Sequence, residues 1–261
     1  MPALIATLSN ILWVVAALFV ILLLFWRLGY PRFSLSHVPL YILNTVMTRV
    51  MWRATVQGQI NLAKGQGAVI VANHIGPMDP AFVALACDRP VHWMVAREFV
   101  DGLAYGWALR LLQVIPTNRG GVDIASTKAA VRYAAAGDFV GMFPEGRINT
   151  TDKLLLPGRP GAALVALKAR VPVIPCFVFD SPRKVENFGF LFERCKPQVR
   201  VGEPIDLSEY FDRASDRAVQ EELTRRFLKE IAKLGGDDNY EPEIAGKNWK
   251  TGAVEDAAPA G

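Results

Sequence analysis

From residue 56 onward, short β-branched runs that are apolar on both faces alternate with longer stretches in which apolar side chains recur every three or four positions. The runs at 69–72, 91–95, 113–115, 138–142, 173–179 and 198–201 read as buried strands, and the stretches at 80–87, 99–112, 123–136, 159–169 and 215–234 as helices. Strands apolar on both faces need helices on both sides, so the pattern predicts an α/β fold: a mostly parallel mixed sheet flanked by helices. Upstream, Leu40, Leu43, Met47, Val50 and Met51 line one stripe of a helix over 40–53, flanked by Arg49, Trp52 and Arg53. Such a helix either packs on the domain or lies in a membrane interface, where Trp and Arg are favoured. Residues 3–26 carry no charge, and 11–26 is unbroken apolar sequence, long enough with its flanks to cross a bilayer.

The charges around that segment assign it a role. No Lys or Arg precedes it and no small-residue cleavage pattern follows, which favours a retained transmembrane helix over a cleaved signal. The first basic residues, Arg27 and Arg32, lie on its C-terminal side, so the rest of the chain is expected in the cytoplasm, behind a single-pass N-terminal anchor. The expected organisation is an anchor at 1–30, an interfacial or packing helix at 31–55, a main domain at 56–234 and a disordered acidic tail at 235–261. The tail holds six acids and two bases, a balance of −4, so the first 234 residues carry +8 of the net +4. A basic body beside an anchor suits anionic lipid surfaces and phosphorylated substrates. No nucleic-acid recognition module is present.

Apolar residues make up 51% of the 261, an excess that the N-terminal segment accounts for. The three cysteines, Cys87, Cys176 and Cys195, have no ligand-like spacing and read as buried free thiols. With only His37, His74 and His92 beside them, neither a metal site nor a bound cofactor is expected.

Two strings carry chemistry. Asn73-His74-Ile75-Gly76-Pro77-Met78-Asp79 places an imidazole and a carboxylate five positions apart just after a predicted strand. Histidine takes up and returns a proton near neutral pH, and a carboxylate on its second ring nitrogen fixes the tautomer. Asp79 before Pro80 also reads as the cap of the helix that follows. Phe143-Pro144-Glu145-Gly146-Arg147 follows another strand, with Gly146 permitting close approach to a ligand and Arg147 offering a planar fork to a phosphate. A surface ion pair of Glu145 with Arg147 or Arg159 is the alternative. Arg119, beside Gly120 and Gly121, occupies the equivalent place after a third strand. All three loops fall at the C-terminal edge of the predicted sheet, where open α/β folds bind ligands. No Gly-x-Ser-x-Gly elbow is present, so the nucleophile can be a substrate hydroxyl.

Together these strings resemble the glycerophosphate and lysophosphatidate (1-acylglycerol-3-phosphate) acyltransferase family over about residues 55–205. Asn73-His74 through Asp79 is similar to its first block, Gln113 to Arg119 to its second, Phe143 to Gly146 to its third, and Val171 to Pro175 to its fourth. The resemblance implies a membrane-bound O-acyltransferase moving a fatty acyl group from acyl-CoA or acyl-carrier protein to a lysophospholipid, in phospholipid biosynthesis or remodelling. It implies His74 as base, Asp79 as its partner, and Arg119, Glu145, Gly146 and Arg147 as holders of the phosphate-bearing acceptor. A lipid-ester hydrolase or transacylase, or a non-catalytic lipid-binding protein of the same fold, are the alternatives. The chain departs from the family pattern in having Gly76 where many members have Ser, Arg97 where Lys is common, and Arg147-Ile148-Asn149 where many continue Thr-Arg-Ser.

Overall fold

The computed structural model describes residues 12–21, 37–102, 106–118, 123–184 and 186–246. Its strands are β1 (Thr55–Gln57), β2 (Ala68–Ala72), β3 (Val91–Ala96), β4 (Ile115–Thr117), β5 (Phe139–Met142), β6 (Val173–Phe179) and β7 (Gln198–Val201). Its α-helices are α1 (Val38–Met51), α2 (Asp79–Val83), α3 (Arg97–Val100), α4 (Gly106–Leu111), α5 (Ile124–Ala135), α6 (Gly161–Ala169) and α7 (Arg217–Leu234). The strands form one sheet in the order β1-β7-β6-β2-β5-β3-β4, every pair parallel except β6 with β7. This is the expected mostly parallel mixed sheet.

Alternation along the strands divides two cores. Ala68, Ile70 and Ala72 of β2 and Ile174, Cys176 and Val178 of β6 face a layer containing Trp52, Phe82 and Val83. Val69 and Val71, with Val173 and Phe177, face α5, α6 and α7 through Ala130, Ala163, Leu223 and Phe227. The sheet is therefore covered on both sides, as its two-faced apolar strands require. Helix α7 is amphipathic: Val219, Leu223, Phe227 and Ile231 recur every fourth position and are buried, and Asp216 caps its first turn by accepting from the Ala218 amide at 2.9 Å.

The differences from the sequence reading have local causes. The helix expected over 99–112 is two helices: the chain leaves helical geometry at Asp101 and Gly102, and the Arg110 guanidinium of α4 donates to the Val100 carbonyl at the end of α3 at 2.6 Å. Gln113, expected to open a strand, takes φ +53°, so β4 begins two residues later. β1 is three residues long, too short to show a period.

At the N-terminal side, residues 12–21 are helical with exposed side chains, and no helix among the described residues is long and apolar enough to cross a membrane. The rest of the anchor expected at 1–30 lies outside the described residues. Helix α1 docks through a polar contact, Asn44 Nδ2 to the Ala81 carbonyl at 2.9 Å, while buried Trp52 just beyond it meets Phe82 edge-on at 5.6 Å. Leu43, Val46, Val50 and Met51 of the helix stay exposed. At the other end, residues 235–246, expected within the disordered tail, are packed on the domain. The Gly158 amide donates to the Glu243 carbonyl at 2.8 Å, and the Ala245 amide donates to the Gly158 carbonyl at 2.9 Å, pinning the segment to the loop before α6. Residues 247–261 lie outside the described residues.

The N-terminal edge of the sheet is held by Arg89, which is buried over the Phe139 ring at 4.4 Å. Its guanidinium donates to the carbonyls of Leu62 (2.9 Å), Gly137 (3.0 Å) and Gln66 (3.2 Å). A neutral side chain of similar length would strand those acceptors. Arg89→Met is expected to lower unfolding free energy by about 3 kcal/mol, read from the urea midpoint. Because Arg89 lies at the edge opposite the loops described next, the remaining folded fraction should keep wild-type kcat.

Candidate active site

The loop leaving β2 is built on two side chains. Asn73, which is buried, continues the ladder toward β6: its Nδ2 donates to the Val178 carbonyl at 2.9 Å and its Oδ1 accepts from the Val178 amide at 2.7 Å. Asp79 turns back into the loop from the first position of α2. Its Oδ2 accepts from the Ile75 amide (2.7 Å), the Gly76 amide (2.9 Å) and the His74 ring at Nδ1 (2.9 Å). The reading of Asp79 as a cap for the following helix is thus corrected: its bonds go to amides in front of α2, and no side-chain cap bond serves the helix. Asp79 has no exposure, and the His74 side chain only 16%. With Nδ1–H directed at the carboxylate, Nε2 keeps its lone pair for an incoming proton.

The adjacent strand β5 supplies the second wall. The Phe143 ring stacks on His74, centroids 3.9 Å apart and 9° from parallel, and Trp93 stacks behind Phe143 at 4.8 Å. Gly141 leaves the space that Trp93 fills, since a Cβ there would lie 2.7 Å from Trp93 Cε2. The imidazole plane is therefore set by packing as well as by Asp79. Glu145, expected to hold the acceptor, turns inward instead. It is 2% exposed, with Oε1 accepting from the His74 amide and Oε2 from the Leu156 amide, each at 2.8 Å. Burial pushes its carboxyl up to about 7, against the two amides, which favour the charged form. The Asn149 amide donates to the His74 carbonyl at 2.6 Å, so both backbone groups of His74 are held by the β5 loop.

The structure thus brings together His74, Asp79, Glu145, Gly146 and Arg147. Arg147 is exposed on the turn closed by the Gly146 amide on the Phe143 carbonyl, and its charge reaches Glu145. Arg119 lies outside the described residues. Its neighbour Asn118 accepts from Arg97 Nε at 3.0 Å, so the change from Lys to Arg at 97 ties β3's end to the second block. Two departures from the family pattern also find causes. A Cβ at Gly76 would collide with the Pro182 carbonyl and lie 2.7 Å from Ser181 Oγ, so a serine does not fit there. Asn149, where many relatives have serine, accepts from both the amide and hydroxyl of Thr151 and shapes the loop that follows.

Sequence reading missed Asn73, Phe143 and Trp93 as builders of the site, and the C-terminal segment as its support. The Tyr240 hydroxyl donates to the Leu155 carbonyl at 3.3 Å, and burial followed by the charge of Glu145 pushes the phenol up. The signal available was the neighbour relation alone: Asn73 precedes His74, and Phe143 opens the third block. Among the described residues no group of three His, Cys, Asp or Glu converges as a metal site would need.

Comparison with known proteins bears on what this arrangement does. The sequence profile of the family described as Acyltransferase matches residues 53–178. An uncharacterised protein of Mycobacterium leprae is 31% identical over 144 residues, which are 50% of this chain and 37% of that protein. An uncharacterised acyltransferase of Schizosaccharomyces pombe is 28% identical over 175 residues, 62% of this chain and 61% of that protein. The match therefore spans less than two fifths of the mycobacterial relative. The crystal structure of the 1-acyl-sn-glycerophosphate (LPA) acyltransferase PlsC from Thermotoga maritima shares the fold, with a TM-score of 0.58 at 20% identity over 76% of this chain and 81% of that one. The matched profile covers both the His74-Asp79 loop and the Glu145 turn, so the similarity to the Acyltransferase family lies over the residues that build the site.

Proposed function

We propose that this protein is a membrane-associated O-acyltransferase that moves a fatty acyl group from a thioester, acyl-CoA or acyl-carrier protein, to the hydroxyl of a lysophospholipid. The observation that carries the reading is the His74 imidazole fixed through Nδ1 by a fully buried carboxylate, with Nε2 left to accept a proton. In the proposed step Nε2 removes the proton of the acceptor hydroxyl as its oxygen attacks the thioester carbonyl. The tetrahedral intermediate collapses, the C–S bond breaks, and the imidazolium returns the proton to the leaving thiolate, giving ester and free thiol. No acyl-enzyme is needed. The Ile75 and Gly76 amides are committed to Asp79, so oxyanion donors come from elsewhere in the cleft.

Arg147 on its exposed turn, with Arg119 from the second block, would meet the acceptor's phosphate. Bilayer association is supported by the exposed apolar side chains of residues 12–21 and of α1, and by Trp107 at 58% exposure. Under this reading Glu145 positions the base through the His74 backbone, and the acceptor is bound by cations alone.

His74→Ala should lower kcat by about a thousandfold with the circular-dichroism spectrum and melting temperature retained. Activity within tenfold of wild type would remove His74 as base. Thiol release from acyl-CoA should match diacyl product mole for mole, and thiol without ester would mean hydrolysis. Glu145→Gln turns one amide-facing oxygen into an NH2 group, so kcat should fall about tenfold or more while the acceptor KM moves less than threefold. A rise in KM alone would restore Glu145 to acceptor binding. Because burial raises the native Glu145 pKa from 4.5 to about 7, the folded state holds the proton longer than the unfolded one between those values. The stability of wild type relative to Glu145→Gln should therefore fall as pH rises from about 4.5 to 7, measured by denaturant midpoints.

A further inference from the structure

The turn that leaves β6 lies against the loop that carries His74. Asn73 ties the two together at the edge of the sheet by holding both backbone groups of Val178. Asp180 then takes φ +48°, a left-handed step that lays the next two residues over the loop after β2. The step is anchored on both sides. Asp180 Oδ2 accepts from the Lys196 amide at 2.7 Å, and the Arg183 and Lys184 amides donate to Glu193 Oε2 at 2.9 and 3.0 Å. The charged side chains of the turn, Asp180, Arg183 and Lys184, are exposed, whereas Ser181 and Pro182 are buried. Ser181 is thus the polar side chain that the turn directs inward.

Gly76 marks where that hydroxyl lies. A Cβ there would be 2.7 Å from Ser181 Oγ, and the amide of the same glycine donates to Asp79 Oδ2 at 2.9 Å. Ser181 is 3% exposed, and its Oγ has no hydrogen-bond partner among the described residues. Asp79 Oδ1 is buried with no such partner either. The two groups complement each other: a hydroxyl can donate and turns to suit its partner, whereas an ionised carboxylate only accepts. Each costs free energy while it stays unmatched in a buried place. Oδ2 already takes three N–H groups, so Oδ1 is where a further donor counts. The neighbouring amide side chains are held elsewhere, Asn44 on the Ala81 carbonyl and Asn73 on Val178.

We propose that Ser181 is a positioning residue of the catalytic pair: its hydroxyl serves Asp79 Oδ1, across no more than one interior water, and thereby holds the carboxylate that orients His74. A donor on Oδ1 favours the ionised carboxylate, the form that stabilises the imidazolium when Nε2 takes a proton. The effect on turnover rests on the acyl-transfer reading, in which His74 is the base. The hydrogen bond itself rests only on the geometry around Gly76.

Two experiments test the proposal. A crystal structure of the wild-type full chain, at a resolution that orders interior water, should show Ser181 Oγ joined to Asp79 Oδ1 directly or through one water. An Oγ bonded elsewhere, or two groups with no such link, overturns the proposal. This arm uses no substrate, so a link found in a protein that transfers no acyl group supports the hydrogen bond and counts against acyl transfer alone. In turnover assays with acyl-CoA and lysophosphatidate in mixed micelles, Ser181→Ala should lower kcat about tenfold, with both KM values within about twofold of wild type. The melting temperature should stay near that of wild type. In an Asp79→Asn background the same substitution should change kcat by less than about twofold, because the group it acts through is gone. An equal loss in both backgrounds, or a lower melting temperature with kcat retained, overturns the proposal, the second because it marks a role in folding only. Ser181→Cys, close in shape and a much weaker donor, replaces the alanine variant if that variant does not fold, and should lower kcat in the same way.

Discussion

One oxygen of one buried carboxylate organises the site. Asp79 Oδ2 takes three N–H groups, two from backbone and one from the His74 ring, in a position with no access to water. A buried carboxylate needs donors, and here the loop itself supplies them, all to Oδ2, while Oδ1 is buried without a hydrogen-bond partner among the described residues. The conformation of residues 74–76 and the tautomer of the imidazole are consequences of the same requirement. Gly76 is part of it, because the loop must pass under the Pro182 carbonyl to deliver its amide.

The second carboxylate, Glu145, does for the junction of two strands what Asp79 does for one loop. β2 and β5 are neighbours in the sheet, and Glu145 joins the loop after β2, at His74, to the far end of the loop after β5, at Leu156. Asn149 closes the same junction from the carbonyl side of His74. The aromatic stack of His74, Phe143 and Trp93 fills the space between. Placement of the base is thereby shared among the central strands, which are also the most buried part of the sheet, and the rigidity of the core is passed to the imidazole. The C-terminal segment extends this support beyond residues 53–178, which match the Acyltransferase profile, holding the loop that carries Leu156 and Arg159 through Tyr240, Glu243 and Ala245.

Much of this was legible before any coordinates. The two-faced apolar runs predicted β2, β3, β5, β6 and β7 within about one residue at each end, because a strand covered on both sides has no polar face to blur its limits. His74 and Asp79 were legible because they lie within one loop, where five residues bring the two side chains together. Glu145 was visible as a motif residue, but its direction was not: an acidic residue on a turn looks the same in sequence whether it faces solvent or 71 residues back to the His74 amide. Asn73 and Val178 are 105 positions apart, and no periodicity links them.

The order of hydrophobic and polar residues by itself determined the α/β class, the edge of the sheet at which the loops gather, and the pairing of His74 with Asp79, since each follows from local spacing and burial. Only the tertiary structure decided which charged side chains turn inward to support the base and which do not. Glu145 was drawn inward by two amides, and Arg159 was brought from outside the motifs to lie against Gly146. The physical reason is that a charged group's role depends on which donors and acceptors surround it after burial. Those partners come from strands adjacent in the sheet and distant in the chain.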